Sequence, residues 1–218
     1  MKNIRLGDVL IEFGYITPDQ LNTALAYQKE HRDLRVGQAL QELGYVNEHQ
    51  VLEALATASG IGQLIVKKAT VSGAEGGCQA ECGSAAAMAA GAVVEMLGGT
   101  PAQAFDAAAI AMQNIMGLVC DPVAGLVEMP CAKRNASGVA NALVSADLAL
   151  SGIFSEIPFD EVVEAMYKVG KALPSTLRET ALGGVATTPT ALAMKEKIYG
   201  KGAAESACSG DCASCGLC

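Results

Sequence analysis

The sequence contains no tryptophan and only 4% aromatic residues, so its core has to be built from small and branched aliphatic side chains. Charged residues reach only 17% and form no basic block, and with a net charge of -8 a nucleic-acid partner is not expected. Histidine is scarce: His31 and His49 are the only two, and none lies between Ile61 and Gly200. That absence removes any Ser-His-Asp or Cys-His arrangement built within this region, and most zinc sites that use imidazole. The most apolar stretches, GSAAAMAAGAVVEMLGG and AFDAAAIAMQNIMGLVC, carry Glu95, Asp106, Gln113 and Asn114, so they fall short of a membrane span. The opening MKNIRLGDVLIEFGY meets charge too often to form the apolar centre of a signal peptide, and a cytoplasmic protein with reduced thiols is expected.

What the chain does have is length and apolar content. With 218 residues, 51% of them hydrophobic, it can bury one or two ordinary cores. The front of the chain is a repeat: RLGDVLIEFGYITPDQLNTALAYQ aligns with RVGQALQELGYVNEHQVLEALATA, matching Arg5 to Arg35, Gly7 to Gly37, Gly14 to Gly44 and Leu25 to Leu55. Each copy reads as a helical hairpin. One helix stops at Gly14 or Gly44, and the next starts at Thr17 with Pro18 and Gln20, or at Asn47 with Gln50. The residues themselves fit a small docking module with a leucine core. The pattern RLGxxLxxxG, with Arg5, Leu6, Gly7, Gly14 and the final Gln28, also resembles the N-terminal domain of type II secretion and type IV pilus assembly ATPases. That resemblance implies cyclic di-GMP as a ligand of the repeat, although Val36 and Ala58 depart from the pattern in the second copy. No GxxxxGK[ST] loop follows, so ATP hydrolysis is not expected.

Beyond the repeat the composition shifts to alanine, glycine and valine, and helices are expected over about 83–97, 101–117, 134–150 and 159–172. Cys78 in SGAEGGCQAECG, Cys120 in GLVCDPVAG and Cys131 in VEMPCAKRN each stand among glycine or proline, in surroundings that read as loops. A thiolate held in irregular backbone suits an iron–sulfur cluster, whose ligands can come from distant loops. Any one of these cysteines taken alone also fits a small buried hydrophobe. Cys82 reads as a spare thiol in the first turn of the following helix. The tail CSGDCASCGLC adds Cys208, Cys212, Cys215 and Cys218, whose spacing suits a second cluster, a zinc ion or a ligand reaching back to the first site.

SGAEGGCQAECGSAAAMAA, LVCDPVAGLVEMPCAKRNA and LPSTLRETALGGVATTPT resemble the α chain of iron–sulfur L-serine dehydratase over about residues 61–200. With the repeat at the front, a mostly α fold in three parts is expected: a helical repeat domain at 1–60, an all-helical domain at 61–200 that the resemblance makes dehydratase-like, and a flexible Cys-rich tail at 201–218. The resemblance implies a 4Fe-4S cluster held by Cys78, Cys120 and Cys131, with Cys218 at the end of the tail capping the iron that otherwise meets substrate. It further implies an L-serine ammonia-lyase of amino-acid degradation and gluconeogenesis, converting L-serine to pyruvate and ammonia. A β subunit or domain with a Ser-His loop is the implied partner, in an oligomer. For the base, Glu75, Glu81, Asp121 and Glu128 lie near the cluster cysteines in sequence. Lys133 and Arg134 are candidates for the substrate carboxylate, and Arg178 with Glu179 is a further charged pair. The family's TAPTNGAAG-type loop is missing, its place taken by the repeat. The competing reading is a non-catalytic docking or cyclic di-GMP protein with a vestigial dehydratase region.

Overall fold

The computed structural model describes residues 11, 16–45 and 48–200. The chain divides into two compact units, Met1–Ala56 and Thr57–Cys218.

In the first unit, helix α1 (Pro18–Glu30) starts where its sequence signals place it. Thr17 Oγ1 accepts from the Gln20 amide at 3.2 Å, Gln20 Oε1 accepts from the Thr17 amide at 2.7 Å, and Pro18 fills the first helical position. Helix α2 (Val36–Glu42) ends against Gly44, whose φ of 70° lets the Gly44 and Tyr45 amides turn back to Gln41 O and Leu40 O. Ile16, Leu21, Ala24, Ala39 and Leu40 close a small core between the two helices. Gln28, the last residue of the ATPase-like pattern, donates from Nε2 to Leu34 O at 3.0 Å and so ties the connection between α1 and α2. Arg5, Leu6, Gly7, Gly14 and Asn47 lie outside the described residues. Helix α3 (Glu48–Lys68) contains the division between the units.

The second unit contains, among its described residues, the rest of α3 and the helices α4 (Gly73–Gly76), α5 (Cys78–Met96), α6 (Pro101–Gln113), α7 (Cys131–Leu150), α8 (Phe159–Ala172) and α9 (Pro189–Tyr199), joined by turns and short 3-10 segments. Its one extended contact is an isolated parallel bridge between Cys120 and Arg178. Alanine explains the packing. Ala86, Ala90 and Val94 of α5 meet Ala104, Ala107 and Ala111 of α6 and Ala142, Ala146 and Ala149 of α7. Their spacing of three and four residues puts small side chains along one stripe of each helix, so the three axes approach closely. A second cluster joins Ala80 and Ala87 of α5, Met112 of α6, and Phe159, Val162, Val163 and Met166 of α8 around Ile61 and Ile65. The scarcity of aromatics is thus met by close approach rather than by bulk. Gly170 of α8 packs on Gly76 so tightly that a Cβ there would stand 2.7 Å from Gly76 Cα.

Helix α8 spans the residues expected of it, whereas three others differ at their ends. Helix α5 begins at Cys78, more than a turn before Gly83, because Gly77 (φ 77°, ψ 178°) makes the turn that a capping side chain would otherwise make. Helix α7 begins at Cys131, immediately after Pro130. Helix α6 stops at Gln113, and the chain turns through Gly117 (φ 88°) to reach Cys120. Two of the three cysteines read as loop residues are therefore the first residues of long helices. Among the described residues, no helix is long and apolar enough to cross a membrane.

Candidate functional site

Cys78, Cys120 and Cys131 come together around one cavity of about 280 Å³, which Glu81, Cys82, Asn135 and Glu179 also line. Cys78 is fully buried and Cys120 is 2% exposed, while Cys131 is half-buried. Cys78 and Cys131 sit where the first-turn amides of a helix leave partial positive charge, a favourable place for a thiolate. Cys120 is held from the backbone: its amide donates to Leu177 O at 2.9 Å, and its carbonyl accepts from the Glu179 amide at 2.8 Å. Glu179 adopts a left-handed φ of 67° to make this contact, a local strain compensated by the surrounding loop. Gly73 leaves room beside these groups, for a Cβ there would stand 2.5 Å from Glu81 Oε2 and 3.3 Å from Cys120 Sγ.

Two buried polar groups fix the frame. Gln79, 1% exposed, donates from Nε2 to Gly76 O at 2.9 Å and to Met166 O at 3.0 Å, and its Oε1 accepts from the Gly117 amide at 2.8 Å. One side chain thus joins α4, α8 and the segment leading to Cys120. Replacing it with alanine strands these backbone groups and opens a void. A loss of about 3 kcal/mol is expected, as a lower melting temperature of the iron-free protein. Gln79→Glu should be no better, because a carboxylate cannot donate to the Gly76 and Met166 carbonyls. The second group is Asp121, 2% exposed, whose Oδ1 accepts from Arg134 Nη1 at 2.7 Å and whose Oδ2 accepts from the Val185 amide at 2.7 Å. The same Arg134 nitrogen donates to Val119 O at 2.8 Å, so the pair clamps the backbone on both sides of Cys120.

The cavity carries an excess of acidic groups. The Cys78 thiol is pushed up to about 12, first by burial and then by the adjoining Cys82, with Arg134 opposing. The Cys120 thiol is likewise pushed up to about 12 by burial and by the charges of Glu81 and Glu179. Burial also raises Cys131, and it raises Glu81 with help from Glu179. Burial thus favours the protonated thiols, and a bound metal cation would oppose these shifts and displace the protons. Among the described residues, no three His, Cys, Asp or Glu side chains converge closely enough to chelate a single ion. Three thiols that line one cavity without converging suit a polynuclear cluster, in which each thiolate binds a different iron. Thiol donors with no imidazole are also the soft set that iron–sulfur clusters prefer. The residues present therefore fit such a group.

The other sequence candidates separate clearly. Glu81 and Glu179, both exposed, line the cavity, Asp121 and Arg134 are engaged with each other, and Glu75, Glu128 and Lys133 are exposed and do not line it. Arg178 donates to Glu75 O at 3.4 Å, and its Nε is buried without a partner. The sequence reading left Gln79 out, since a glutamine after a cysteine carries no periodic or motif signal of its own. Cys208, Cys212, Cys215 and Cys218 lie outside the described residues.

The second unit is thus a helical domain that brings three thiols, two of them at helix starts, to one cavity. Comparison with known proteins makes the family specific. Residues 35–186 match the family described as serine dehydratase alpha chain, and this chain belongs to that family. It is 58% identical over 146 residues to the probable L-serine dehydratase, alpha chain, of Bacillus subtilis (strain 168), covering 67% of this chain and 49% of that protein. Against the L-serine dehydratase, alpha chain, of Peptoniphilus asaccharolyticus it is 60% identical over 146 residues, 67% of this chain and 50% of the other. With the probable L-serine dehydratase, alpha chain, of Latilactobacillus sakei the identity is 58% over 147 residues, 67% of this chain and 70% of that one. The chain thus spans about half the length of the first and second of these relatives.

Proposed function

We propose that this chain is the cluster-bearing part of an iron–sulfur L-serine dehydratase α chain, with Cys78, Cys120 and Cys131 holding a 4Fe-4S cluster. The observation that carries the reading is the meeting of these three thiols, from two helix starts and one loop, at a single cavity. A cluster held by three cysteines would supply an open iron, a Lewis acid able to take the hydroxyl of L-serine as it leaves.

The chain's own groups then have distinct tasks. Gln79 and the Asp121–Arg134 pair hold the three thiols at their separations. Burial of Cys78 and Cys120 keeps bulk water from the ligand atoms, and water exclusion strengthens every charge interaction inside the cavity. Glu81 and Glu179 are the carboxylates that face the cavity; both residues are exposed, and partial desolvation with the Glu179 charge raises the Glu81 carboxyl, which favours its protonated form. The region carries no histidine, so a group titrating near neutrality in free form has to come from outside it, in this reading from a partner. A β subunit or domain is that partner in this reading. The names of the relatives support it, since an alpha chain implies a companion.

Cys218 is proposed as the thiolate that caps the open iron until serine displaces it. If so, Cys218→Ala made without air should keep near-normal iron, change the resting spectrum and lose its cluster faster in air. Identical spectra and equal lifetimes in air would remove Cys218 from the ligand set and leave the tail cysteines as a separate metal clip. The function itself is tested by adding serine to the reconstituted chain, alone and with a β partner. Pyruvate formed only with the partner supports the reading; an iron-loaded pair that forms none reduces it to cluster binding. The second reading, cyclic di-GMP at the repeat, draws no support from Gln28, whose side chain closes a turn.

A further inference from the structure

We propose that Cys82 is a positioning residue for the cluster: it donates a hydrogen bond to the Cys78 thiolate and so raises the cluster's reduction potential. This rests on the cluster reading above and assigns a role to the one thiol in the cavity that the reading leaves unused.

Cys82 follows Cys78 by four residues on α5, which places both side chains on one helix face. Their sulfur atoms stand 3.2 Å apart, and both residues are buried, at 0% and 5% exposure. Cluster thiolates each take a different iron and point away from one another, whereas these two sulfurs touch. Cys82 is therefore placed as a neighbour of a ligand rather than as a further ligand.

The protons follow from the contacts. In the iron-free protein the Cys78 thiol donates to Cys82 Sγ, and the Cys82 thiol donates to Asn135 Oδ1 at 3.4 Å. Asn135 is fixed in turn, for its Nδ2 donates to Cys131 O at 3.1 Å. Iron binding removes the Cys78 proton, and the donor becomes an anionic acceptor. Cys82 has a single S–H to give, and a charged thiolate at 3.2 Å is a stronger acceptor than a neutral amide oxygen at 3.4 Å. The Cys82 proton therefore turns from Asn135 to Cys78. A hydrogen bond to a ligand thiolate draws electron density from the Fe–S bond and favours the more reduced, more negative cluster.

The test compares the parent chain with Cys82→Ala and Cys82→Ser, each reconstituted without air. Iron content, the Fe–S(Cys) stretching bands in resonance Raman, and the reduction potential are measured. Cys82→Ala should bind as much iron as the parent, shift an Fe–S(Cys) band to higher frequency and show a more negative potential. Cys82→Ser, whose hydroxyl can still donate, should return both values towards the parent. Equal bands and potentials in the iron-loaded parent and Cys82→Ala overturn the proposal. Loss of iron in Cys82→Ala also overturns it, making Cys82 a ligand or an assembly residue. A parent that takes up no iron instead removes the cluster reading itself, a result distinct from equal potentials in two loaded proteins.

Discussion

Single replacement of Cys78, Cys120 or Cys131 by alanine is expected to give a folded helical protein that has lost most of its capacity for iron and sulfide. Each thiolate would supply one bond to a different iron, and a cluster with an open site has no spare cysteine ligand. The fold should survive because alanine is a small apolar substitute for a buried thiol, and two of the positions begin helices, where no intrahelical amide bond depends on the side chain. Cys131 is the cleanest probe, being half-buried and leaving the smallest void. Far-ultraviolet circular dichroism should match the parent, while iron and sulfide analysis and visible absorption fall towards background. A Cys120→Ala chain that retained full iron would show that the cavity is not the cluster site.

Asp121→Ala is expected to be among the most destabilising substitutions in the second unit, costing about 3–5 kcal/mol, because it leaves Arg134 charged, largely buried and unpaired. The same change frees the Val185 amide and loosens the segment that carries Cys120. Gly184 packs directly on this carboxylate, where a Cβ would meet it, so the substitution leaves a gap beside Gly184. Arg134→Ala strands the carboxylate instead, and the two effects should overlap. In a double-mutant cycle the combined variant should lose clearly less stability than the sum of the single variants, as measured by chemical denaturation of the iron-free protein. Strict additivity would mean that the pair is not an energetic unit.

The parts of the molecule legible in the sequence are those with local causes. Thr17-Pro18 and Thr100-Pro101 each carry a hydroxyl cap, a proline at the first helical position and a glutamine three residues after the threonine, and both helices begin as this pattern requires. Glycine and proline around Cys78, Cys120 and Cys131 mark departures from regular structure, and the three cysteines do share one cavity. What the local pattern hides is where the irregularity ends. GGCQAECG offers no Ser, Thr, Asp or Asn cap, and Gly77 instead uses a positive φ while the Gln79 amide finds Leu118 O. Asp121 and Gln79 were obscure for a different reason. Asp121 reads as a base candidate until Arg134 is seen opposite, and two of the three partners of the Gln79 side chain lie 38 and 87 residues away. Long-range pairings of this kind leave no periodic trace in the chain.

Whether three cysteines of one chain hold a four-iron cluster is measured most directly as iron and acid-labile sulfide per chain after reconstitution without air, with Mössbauer spectroscopy of the same sample. About four irons and four sulfides per chain are expected, with one iron distinct from the other three and perturbed by L-serine. A colourless protein with no bound iron, or one whose iron survives the combined loss of Cys78, Cys120 and Cys131, would contradict this expectation.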